Sequence, residues 1–301
     1  MPELPEVETT VRDLNKTVLG RKIEDVWSDT PKITRVLNKN GKKGGSLEFK
    51  KGLKGKKIIK IERRGKNIIF FLSEEKILLV HLKMTGHFLS GKWKIEGKKQ
   101  VSLVKGPLSE DPMNRFIRVL FYLSKGKQLA LCDLRKFAKM ELWDRKYFEE
   151  SGQLNSLGPE PLSKDFTFEK FKKSLERKKG KIKQVLMDQT AISGIGNIYS
   201  DEALFEAEIN PLRKASSLNV KELADIYKAV RKVLRKGVEK RGESFSDFRT
   251  ISGEKGGFDN FRKAYGRKGK PCLRCKTTMK KIKIGGRSSC FCPKCQPFVK
   301  T

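Results

Sequence analysis

Apolar residues near the start of the chain recur at the spacing of an α-helix. This spacing places one side of residues 4–18 against a core, and Gly20 is suited to end the helix. Proline and acidic residues suit the first helical turn, because proline needs no backbone donor there and acidic groups face the positive end of the helix dipole. The predicted buried face consists of Leu4, Val7, Val11, Leu14 and Val18.

Between residues 58 and 143 the pattern changes to short β-branched and aromatic runs separated by Gly, Lys, Ser and Asn. Such runs are typical of an antiparallel sandwich or barrel. Residues 39–55 and 91–112 are rich in Gly and Lys, and we expect loops or mobile insertions without chemistry of their own. The predicted strands are residues 58–61, 68–72, 77–82, 116–123, 129–131 and 137–143.

Residues 151–163 contain Gly-Pro-Glu-Pro and continue neither the helical nor the strand pattern. After them, the apolar residues again recur at the spacing of an α-helix. Residues 151–163 are the natural linker between domains. The sequence therefore predicts an α+β fold, with a leading helix and a β-sandwich in residues 1–150 and a helical domain after the linker. Asn219 is expected to cap the last of four helices. These helices are predicted at residues 168–175, 182–186, 198–207 and 223–234.

The chain of 301 residues has a formal net charge of +33, which indicates what kind of partner it binds. The length allows about two domains, and 37% hydrophobic residues are enough to build cores. The charge favours a polyanion, most often nucleic acid, over other partners. A membrane is the rival, but no apolar run approaches the ~20 residues that span a bilayer, and no signal peptide is visible. We therefore expect a cytoplasmic protein, associated with the nucleoid if it is bacterial.

Pro2 and Glu3 are the first candidates for chemistry. Removal of Met1 exposes a secondary amine, and α-amino groups titrate near about pH 8, so a useful fraction is neutral and nucleophilic at pH 7. Attack on an aldehyde-level carbon gives an iminium that acts as an electron sink, and Glu3 can exchange the proton that this attack requires. The alternative is that Pro2 and Pro5 only begin a helix. The two interpretations are compatible.

A glycine-rich turn at residues 190–197 is a candidate phosphate site. Two glycines that flank Ile195 directly before a helix allow backbone amides to approach a phosphate, with Asn197 as the helix cap. The alternative is an ordinary tight turn between helices. Four lysines shortly before the turn favour phosphate binding. They are Lys178, Lys179, Lys181 and Lys183.

The cysteine spacing near the C-terminus predicts a structural zinc site. Two Cys-x2-Cys pairs are separated by 16 residues, the spacing of four thiolates that close a tetrahedral site. Cys290 is a conceivable alternative ligand, and Cys132 is expected in the core. Residues 251–301 hold 14 Lys and Arg against two acidic residues, so Arg287, between the pairs, is the expected nucleic-acid contact. The predicted zinc ligands are Cys272, Cys275, Cys292 and Cys295.

Four motifs together resemble one family, formamidopyrimidine-DNA glycosylase. They are PELPEVE at residues 2–8, IGNIY at 195–199, YGRKGKPC at 265–272 and CPKCQ at 292–296. The resemblance covers nearly the whole chain in the same order. It implies a helix-two-turn-helix motif within residues 164–265, a β-hairpin zinc finger at 266–300 with one structural Zn2+, and a monomer that acts on double-stranded DNA containing oxidised bases or abasic sites.

The resemblance also implies a role for each matching residue. Pro2 would attack the anomeric carbon and form a Schiff base, Glu3 would be the acid-base partner, and Lys66 would assist sugar opening and elimination. Arg287 and Asn197 would grip phosphates around the extruded nucleotide. Two lysines would contact the DNA backbone, and three residues would fill the space left by the extruded base. These are Lys179 and Lys183, and Met84, Arg135 and Phe137, respectively.

The resemblance leaves two alternatives, and the chain departs from the family pattern in the loop that carries Arg135 and Phe137. An endonuclease VIII-like enzyme for oxidised pyrimidines is the alternative within the class, and Leu4 to Glu8 favour the purine branch. A zinc-ribbon nucleic-acid-binding protein without catalysis, for example one associated with RNA, is the alternative outside it, and it needs no free Pro2. The family has Asp-Pro-Arg-Arg-Phe-Gly where this chain has Leu134 and Ala138 in place of the proline and the glycine. We expect this loop to differ in geometry.

Overall fold

Helix α1 (Leu4–Thr17) forms where the apolar spacing predicts it. Its predicted face is buried, with Leu4, Val7 and Leu14 fully inaccessible to solvent. Glu3 and Glu6 form a capping box at its first turn, in which each carboxylate accepts a hydrogen bond from the other residue's backbone amide. The box fixes the direction in which the amino terminus leaves the helix.

The computed structural model divides the chain into two units. Unit 1 comprises Met1–Asn155 and Lys240–Gly257, and unit 2 comprises Ser156–Glu239 and the chain from Phe258 onward. No described helix is long and apolar enough to cross a membrane. The residues that the structure describes are 1–37, 43–96, 99–176, 178–244 and 247–298.

Two sheets form the sandwich of unit 1. One has the strand order β1-β10-β11-β7 and the other β3-β2-β12-β6-β5-β4. All neighbouring strands pair antiparallel except β2 and β12, which are parallel. The strands are β1 (Ile23–Ser28), β2 (Thr34–Leu37), β3 (Lys43–Gly44), β4 (Ile58–Arg64), β5 (Asn67–Leu72), β6 (Lys76–His81), β7 (His87–Gly91), β8 (Trp93–Glu96), β9 (Lys99–Ser102), β10 (Ile117–Leu123), β11 (Lys127–Cys132) and β12 (Lys139–Asp144).

The main core of unit 1 lies between the two sheets and is closed by α1. Val119 and Leu131 come from the four-stranded sheet, Phe70 and Met140 come from the six-stranded sheet, and Val7 comes from α1. Alternate residues of β5, β6, β10, β11 and β12 point into this layer, as the pleat of a strand requires. The sandwich predicted for residues 1–150 is therefore confirmed.

The two Gly- and Lys-rich stretches are not loops, which corrects the prediction. The first contains helix α2 (Ser46–Leu53), whose Phe49 and Leu53 are fully buried in the main core. The second contains the β8–β9 hairpin and a helical turn, α3 (Pro107–Glu110). Trp93 and Leu108 there cover the outer face of the four-stranded sheet. Residues 39–42, 97 and 98 of these stretches lie outside the described residues.

Unit 2 contains the four predicted helices and a β-hairpin, and α4 (Arg145–Glu150) precedes it at the end of unit 1. Asn219 caps the last helix as predicted, because its Oδ1 accepts from the Glu222 backbone amide at 2.9 Å. The elements are α5 (Phe168–Glu176), α6 (Ile182–Met187), α7 (Asn197–Glu206), α8 (Val220–Glu239), β13 (Lys280–Ile284) and β14 (Arg287–Phe291).

Residues 240–257 pack within unit 1, unlike the predicted helical domain of residues 164–265. The Glu243 backbone amide donates to Glu6 at 2.8 Å, and the Arg249 guanidinium donates to Asp111 at 2.7 Å. These polar contacts join residues more than a hundred positions apart, so no local sequence pattern records them.

Candidate active site and nucleic-acid interface

The amino terminus of unit 1 places Pro2 and Glu3 at the first turn of α1. Both residues are buried, and Glu3 is only 2% exposed. Glu3 is the N-cap residue, so its carboxylate lies one residue from the Pro2 nitrogen. Removal of Met1, which is exposed, would leave that nitrogen as a secondary amine. The candidate nucleophile and the candidate proton carrier are therefore neighbours in the chain at the same helix end.

Glu6 fixes this terminus from inside the helix. One carboxylate oxygen accepts from the Glu3 backbone amide at 2.7 Å and the other from the Glu243 backbone amide at 2.8 Å. Gly242 has a positive φ of 85°, and a Cβ there would lie 2.9 Å from Glu6 Cγ. Only glycine therefore fits this approach of residues 242–243 to the amino terminus. The sequence reasoning missed Glu6 because it is one of three glutamates in the first eight residues.

Lys66 lies in the turn between β4 and β5, and only 6% of its surface is exposed. Gly65 before it takes a positive φ of 57°, which the tight turn requires. Arg63 ties this strand to α1, because its Nε donates to Glu8 at 2.9 Å. Burial raises the pKa of Glu8, but hydrogen bonds from Arg63 and Arg12 outweigh burial and hold the pKa below its ordinary value. Among the lysines that the structure describes, Lys66 and Lys183 are buried.

Two loops of unit 1 carry Met84, Arg135 and Phe137. Phe137 is 48% exposed, and the Arg135 guanidinium lies over its ring at 4.7 Å from the centroid. The Arg135 backbone amide donates to the Thr85 hydroxyl at 3.0 Å, which brings the second loop next to Met84. The three residues expected to fill the space of an extruded base are therefore neighbours on one side of the sandwich.

Both histidines lie beside the first of these loops, at strand ends. His81 ends β6 and His87 begins β7. Burial lowers the pKa of His81 to about 3 and that of His87 to about 4. His87 Nε2 lies 3.1 Å from the Asn114 side-chain oxygen. Neutral, hydrogen-bonded imidazoles of this kind support the fold.

Asn197 and the glycine-rich turn lie in unit 2, before α7. Gly196 is the N-cap residue of α7, so Asn197 is its first helical residue and the predicted capping role is wrong. Gln189 rigidifies the turn, because its side-chain oxygen accepts from the Gly194 amide at 2.9 Å and its amide donates to the Ile195 carbonyl at 2.7 Å. The turn therefore presents its backbone in one fixed conformation.

The structure corrects the predicted DNA contact of Lys183. Lys183 is fully buried, and its ammonium donates to Asp201 at 2.6 Å and to the Asn197 carbonyl at 2.8 Å. A side chain without solvent exposure cannot reach a phosphate. Lys179, by contrast, is exposed. Lys178 is paired with Asp188 at 2.7 Å.

Asp201 links the turn to the hairpin of unit 2. Besides Lys183, its carboxylate accepts from the Ser289 hydroxyl at 2.6 Å and from the Cys290 backbone amide at 3.0 Å. Burial raises the pKa of the Asp201 carboxyl, and these donors oppose that shift. The next residue, Glu202, accepts from three successive backbone amides, those of Lys263, Ala264 and Tyr265, at 2.8–2.9 Å. Two adjacent acids between the apolar pairs Ile198–Tyr199 and Ala203–Leu204 of α7 were the sequence signal for this connection.

Four cysteines form the predicted zinc site at the base of this hairpin. Their sulfur atoms all lie within 4.8 Å of one another, and two of the separations are 3.4 and 3.9 Å. Tetrahedral ligation at a Zn–S distance of about 2.3 Å requires sulfurs about 3.8 Å apart. The chain therefore holds one structural zinc. Cys290 is not part of this group, and Cys132 is buried in β11 as expected. The ligands are Cys272, Cys275, Cys292 and Cys295.

Arg287 begins β14 and is exposed at the tip of the hairpin. The two-residue turn before it, Gly285 and Gly286, has positive φ at both positions, as this tight turn requires. A Cβ on Gly285 would lie 2.4 Å from Gln184 of α6, so the turn packs directly against that helix. The zinc site at one end and this close approach at the other hold Arg287 in place.

Three family models match the chain. The formamidopyrimidine-DNA glycosylase N-terminal domain matches residues 1–140, the H2TH domain of the same family matches residues 157–249, and a zinc finger found in FPG and IleRS matches residues 269–297. Together these models cover the leading helix, the sandwich, the helical part and the zinc site.

Relatives and solved structures match over the full length. Formamidopyrimidine-DNA glycosylase of Pelotomaculum thermopropionicum is 41% identical over 296 residues, covering 98% of this chain and 99% of that protein. Lactococcus lactis Fpg in complex with abasic-site DNA gives a TM-score of 0.83 at 31% identity, covering 98% and 100% of the two chains. MutM (Fpg) of Thermus thermophilus gives 0.79 at 35%, covering 98% of each. The chain therefore belongs to the formamidopyrimidine-DNA glycosylase family, the DNA glycosylases of base excision repair.

Proposed function

We propose that this protein is a bifunctional DNA glycosylase and apurinic/apyrimidinic lyase that removes oxidised purines, chiefly formamidopyrimidines and 8-oxoguanine, from duplex DNA. The observation that carries the proposal is the arrangement at the amino terminus, where Pro2 and the buried Glu3 share a capped helix end. A capped helix end alone serves any fold, but a protein that only binds nucleic acid needs no free amino-terminal proline. The solved Lactococcus lactis relatives include a mutant Fpg in complex with Fapy-dG-containing DNA and Fpg in complex with abasic-site DNA.

The first chemical step follows from the secondary amine. The neutral Pro2 nitrogen attacks the anomeric carbon, the glycosidic bond breaks, and the base leaves with its bonding electrons and gains a proton. Glu3 carries the protons for ring opening of the sugar, because it is the residue next to Pro2 and its side chain is buried at the same helix end. The product is an iminium between Pro2 and the opened sugar.

The iminium then drives strand cleavage. It withdraws electrons, so loss of the proton from the adjacent C2′ carbon expels the 3′ phosphate by β-elimination. A second elimination along the conjugated chain expels the 5′ phosphate, which completes β,δ-elimination. Lys66, which is 6% exposed, would assist ring opening and the eliminations, since its ammonium is withdrawn from solvent. Arg287 would hold the phosphates beside the reacting sugar.

A panel of duplexes, each with one lesion, tests the proposal in the presence of borohydride, which reduces the iminium to a stable adduct. We expect covalent adducts with formamidopyrimidine and 8-oxoguanine duplexes and none with undamaged DNA. Stronger trapping on duplexes with oxidised pyrimidines would indicate the specificity of an endonuclease VIII-like enzyme. Tight binding to every duplex without any adduct would instead indicate a zinc-ribbon binding protein.

Met84→Ala is expected to separate base extrusion from chemistry. Extrusion leaves a gap in the stack that costs several kcal/mol unless a side chain fills it. The variant should therefore lose about ten-fold or more in single-turnover excision from a paired lesion duplex, and much less in cleavage of a preformed abasic site. Equal losses on the two substrates would mean that Met84 only supports the fold.

Arg287→Ala is expected to weaken DNA binding without loss of zinc, because Arg287 is exposed and is not a ligand. The slope of log affinity against log salt should fall by about one, the signature of one lost phosphate contact. Excision should fall as well, because a poorly held backbone misplaces the anomeric carbon. Lys146→Ala, which removes one exposed charge from α4, is the matched control and should change neither. If Arg287→Ala binds lesion DNA like the parent at every salt concentration, Arg287 does not contact a phosphate.

A further inference from the structure

The Met84 loop and the Arg135–Phe137 loop leave the sandwich of unit 1 side by side. The first connects β6 to β7 and the second connects β11 to β12, so each crosses between the same two sheets. At their ends His81 pairs with Lys139, and His87 pairs with Cys132. The two crossings are therefore neighbours at both ends, but strand pairing does not fix their tips.

One hydroxyl and one carboxylate join the two loops between these ends. The Thr85 hydroxyl donates to Asp133 Oδ1 and accepts from the Arg135 backbone amide at 3.0 Å. Asp133 Oδ2 accepts from the Ala138 backbone amide at 2.7 Å. Thr85 is 3% exposed and Asp133 is fully buried, so water does not compete for these bonds. We call this set of three hydrogen bonds the Thr85–Asp133 clasp.

The rest of unit 1 anchors the clasp from behind. The Asp133 backbone amide donates to the Phe116 carbonyl at 2.8 Å, and Arg118 Nε donates to the Asp133 carbonyl at 3.0 Å. The backbone of Asp133 is therefore held in place even if the tip of its loop moves. Movement of either tip must break a buried hydrogen bond, which is costly because it strands a polar group away from water.

The second loop depends on these bonds more than its family pattern suggests. Leu134 stands where the family has a proline, so no ring fixes the backbone there. Lys136 takes a positive φ of 57°, an unfavourable conformation for a residue with a side chain. Phe137 is half exposed and gains little from packing. The clasp fixes this segment at both ends, through the amides of Arg135 and Ala138.

We propose that Thr85 and Asp133 are positioning residues that fix the Met84 loop and the Arg135–Phe137 loop relative to each other. Met84, Arg135 and Phe137 then enter the duplex together. The proposal rests on the proposed function, in which these three residues fill the space of the extruded base. It adds two residues that touch no DNA and act only through the loops that they join.

Thr85→Val and Thr85→Ser are the matched test, since valine keeps the shape and removes the hydroxyl whereas serine keeps the hydroxyl. For Thr85→Val we expect single-turnover excision from a paired 8-oxoguanine duplex to fall by about ten- to hundred-fold, because small misplacements at such sites have large effects on rate. Cleavage of a preformed abasic site should change by less than about three-fold. Thr85→Ser should remain near the parent on both substrates.

A double-mutant cycle separates positioning from general support of the fold. In the parent, the losses of excision rate caused by Met84→Ala and by Phe137→Ala should be non-additive, because the two side chains act together. In the Thr85→Val background the same two losses should become additive. A purely structural role predicts a lower melting temperature with the coupling unchanged, and that outcome would overturn the proposal. So would parent-like excision by Thr85→Val.

Asp133→Asn provides a second route if Thr85→Val fails to fold. The amide oxygen can still accept from the Ala138 amide, but the NH2 group then faces the Thr85 hydroxyl, which must accept instead of donate, so the charge-assisted bond at that end of the clasp is replaced by a weaker neutral one. Asp133→Asn should show the same selective loss on paired duplexes, and equal losses on both substrates would again overturn the proposal. Absence of any borohydride adduct with the parent protein would overturn the proposed function instead, whatever the Thr85 variants do.

Discussion

A chain that retains an extension ahead of Pro2 is expected to form no borohydride adduct with lesion DNA and to lose excision by at least about a thousand-fold, the scale of losing a covalent nucleophile. The extension turns the secondary amine into an amide, whose nitrogen is not nucleophilic. Binding to lesion duplexes should persist, because the zinc hairpin and α7 lie in unit 2. Proteolytic removal of the extension should restore the adduct, and peptide mass spectrometry should locate it on Pro2.

Pro5→Ala is the control that separates the two interpretations of the amino-terminal motif. Pro5 occupies the first turn of α1, where proline favours helix initiation. If the motif only began a helix, Pro5→Ala and the blocked terminus would have similar small effects. We expect Pro5→Ala to trap DNA like the parent. Full trapping by the blocked chain would reject Pro2 as the nucleophile and would make a lysine such as Lys66 the candidate.

Local periodicity accounts for the parts of the fold that the sequence predicted. The apolar face of α1 and the alternating strands of the sandwich are recorded in residues a few positions apart, and each predicted element is present. Helix α2 was missed because Phe49 and Leu53 are its only buried residues among lysines and glycines. A Cβ on Gly52 would lie 2.6 Å from Leu142, a contact that only the folded chain reveals.

In the candidate site, too, the residues with a local sequence pattern were predicted and those defined by distant contacts were not. Pro2, Glu3 and the zinc ligands were predicted because their spacing or position carries the chemistry. Lys183 was misassigned because the sequence shows it only as one lysine among several, whereas its environment is set by Asp201 and Ser289, which are distant in the chain. Thr85 and Asp133 were missed for the same reason, since 48 positions separate them. Residues that act by holding others have no local pattern.

Asp201→Ala is expected to be the most destabilising single change in unit 2. It removes the acceptor shared by the Lys183 ammonium, the Ser289 hydroxyl and the Cys290 amide, all of them buried. Loss of one partner from a buried ion pair costs about 3–5 kcal/mol, because the remaining charge is left uncompensated. For a unit of this size that loss corresponds to a melting temperature lower by roughly 10 °C.

Glu208→Gln is the matched control, because it breaks an exposed ion pair of unit 2, with Arg274 at 3.2 Å. Exposed pairs contribute about 0–1 kcal/mol, so its denaturant midpoint should stay near that of the parent. The double variant Lys183→Met with Asp201→Asn should recover part of the stability, since it removes the buried charge and keeps an acceptor. Asp201→Ala should also weaken DNA binding although Asp201 touches no DNA, because β14 carries both Ser289 and Arg287. If Asp201→Ala unfolds at the same denaturant concentration as Glu208→Gln, the Lys183–Asp201 pair does not hold the hairpin of β13 and β14.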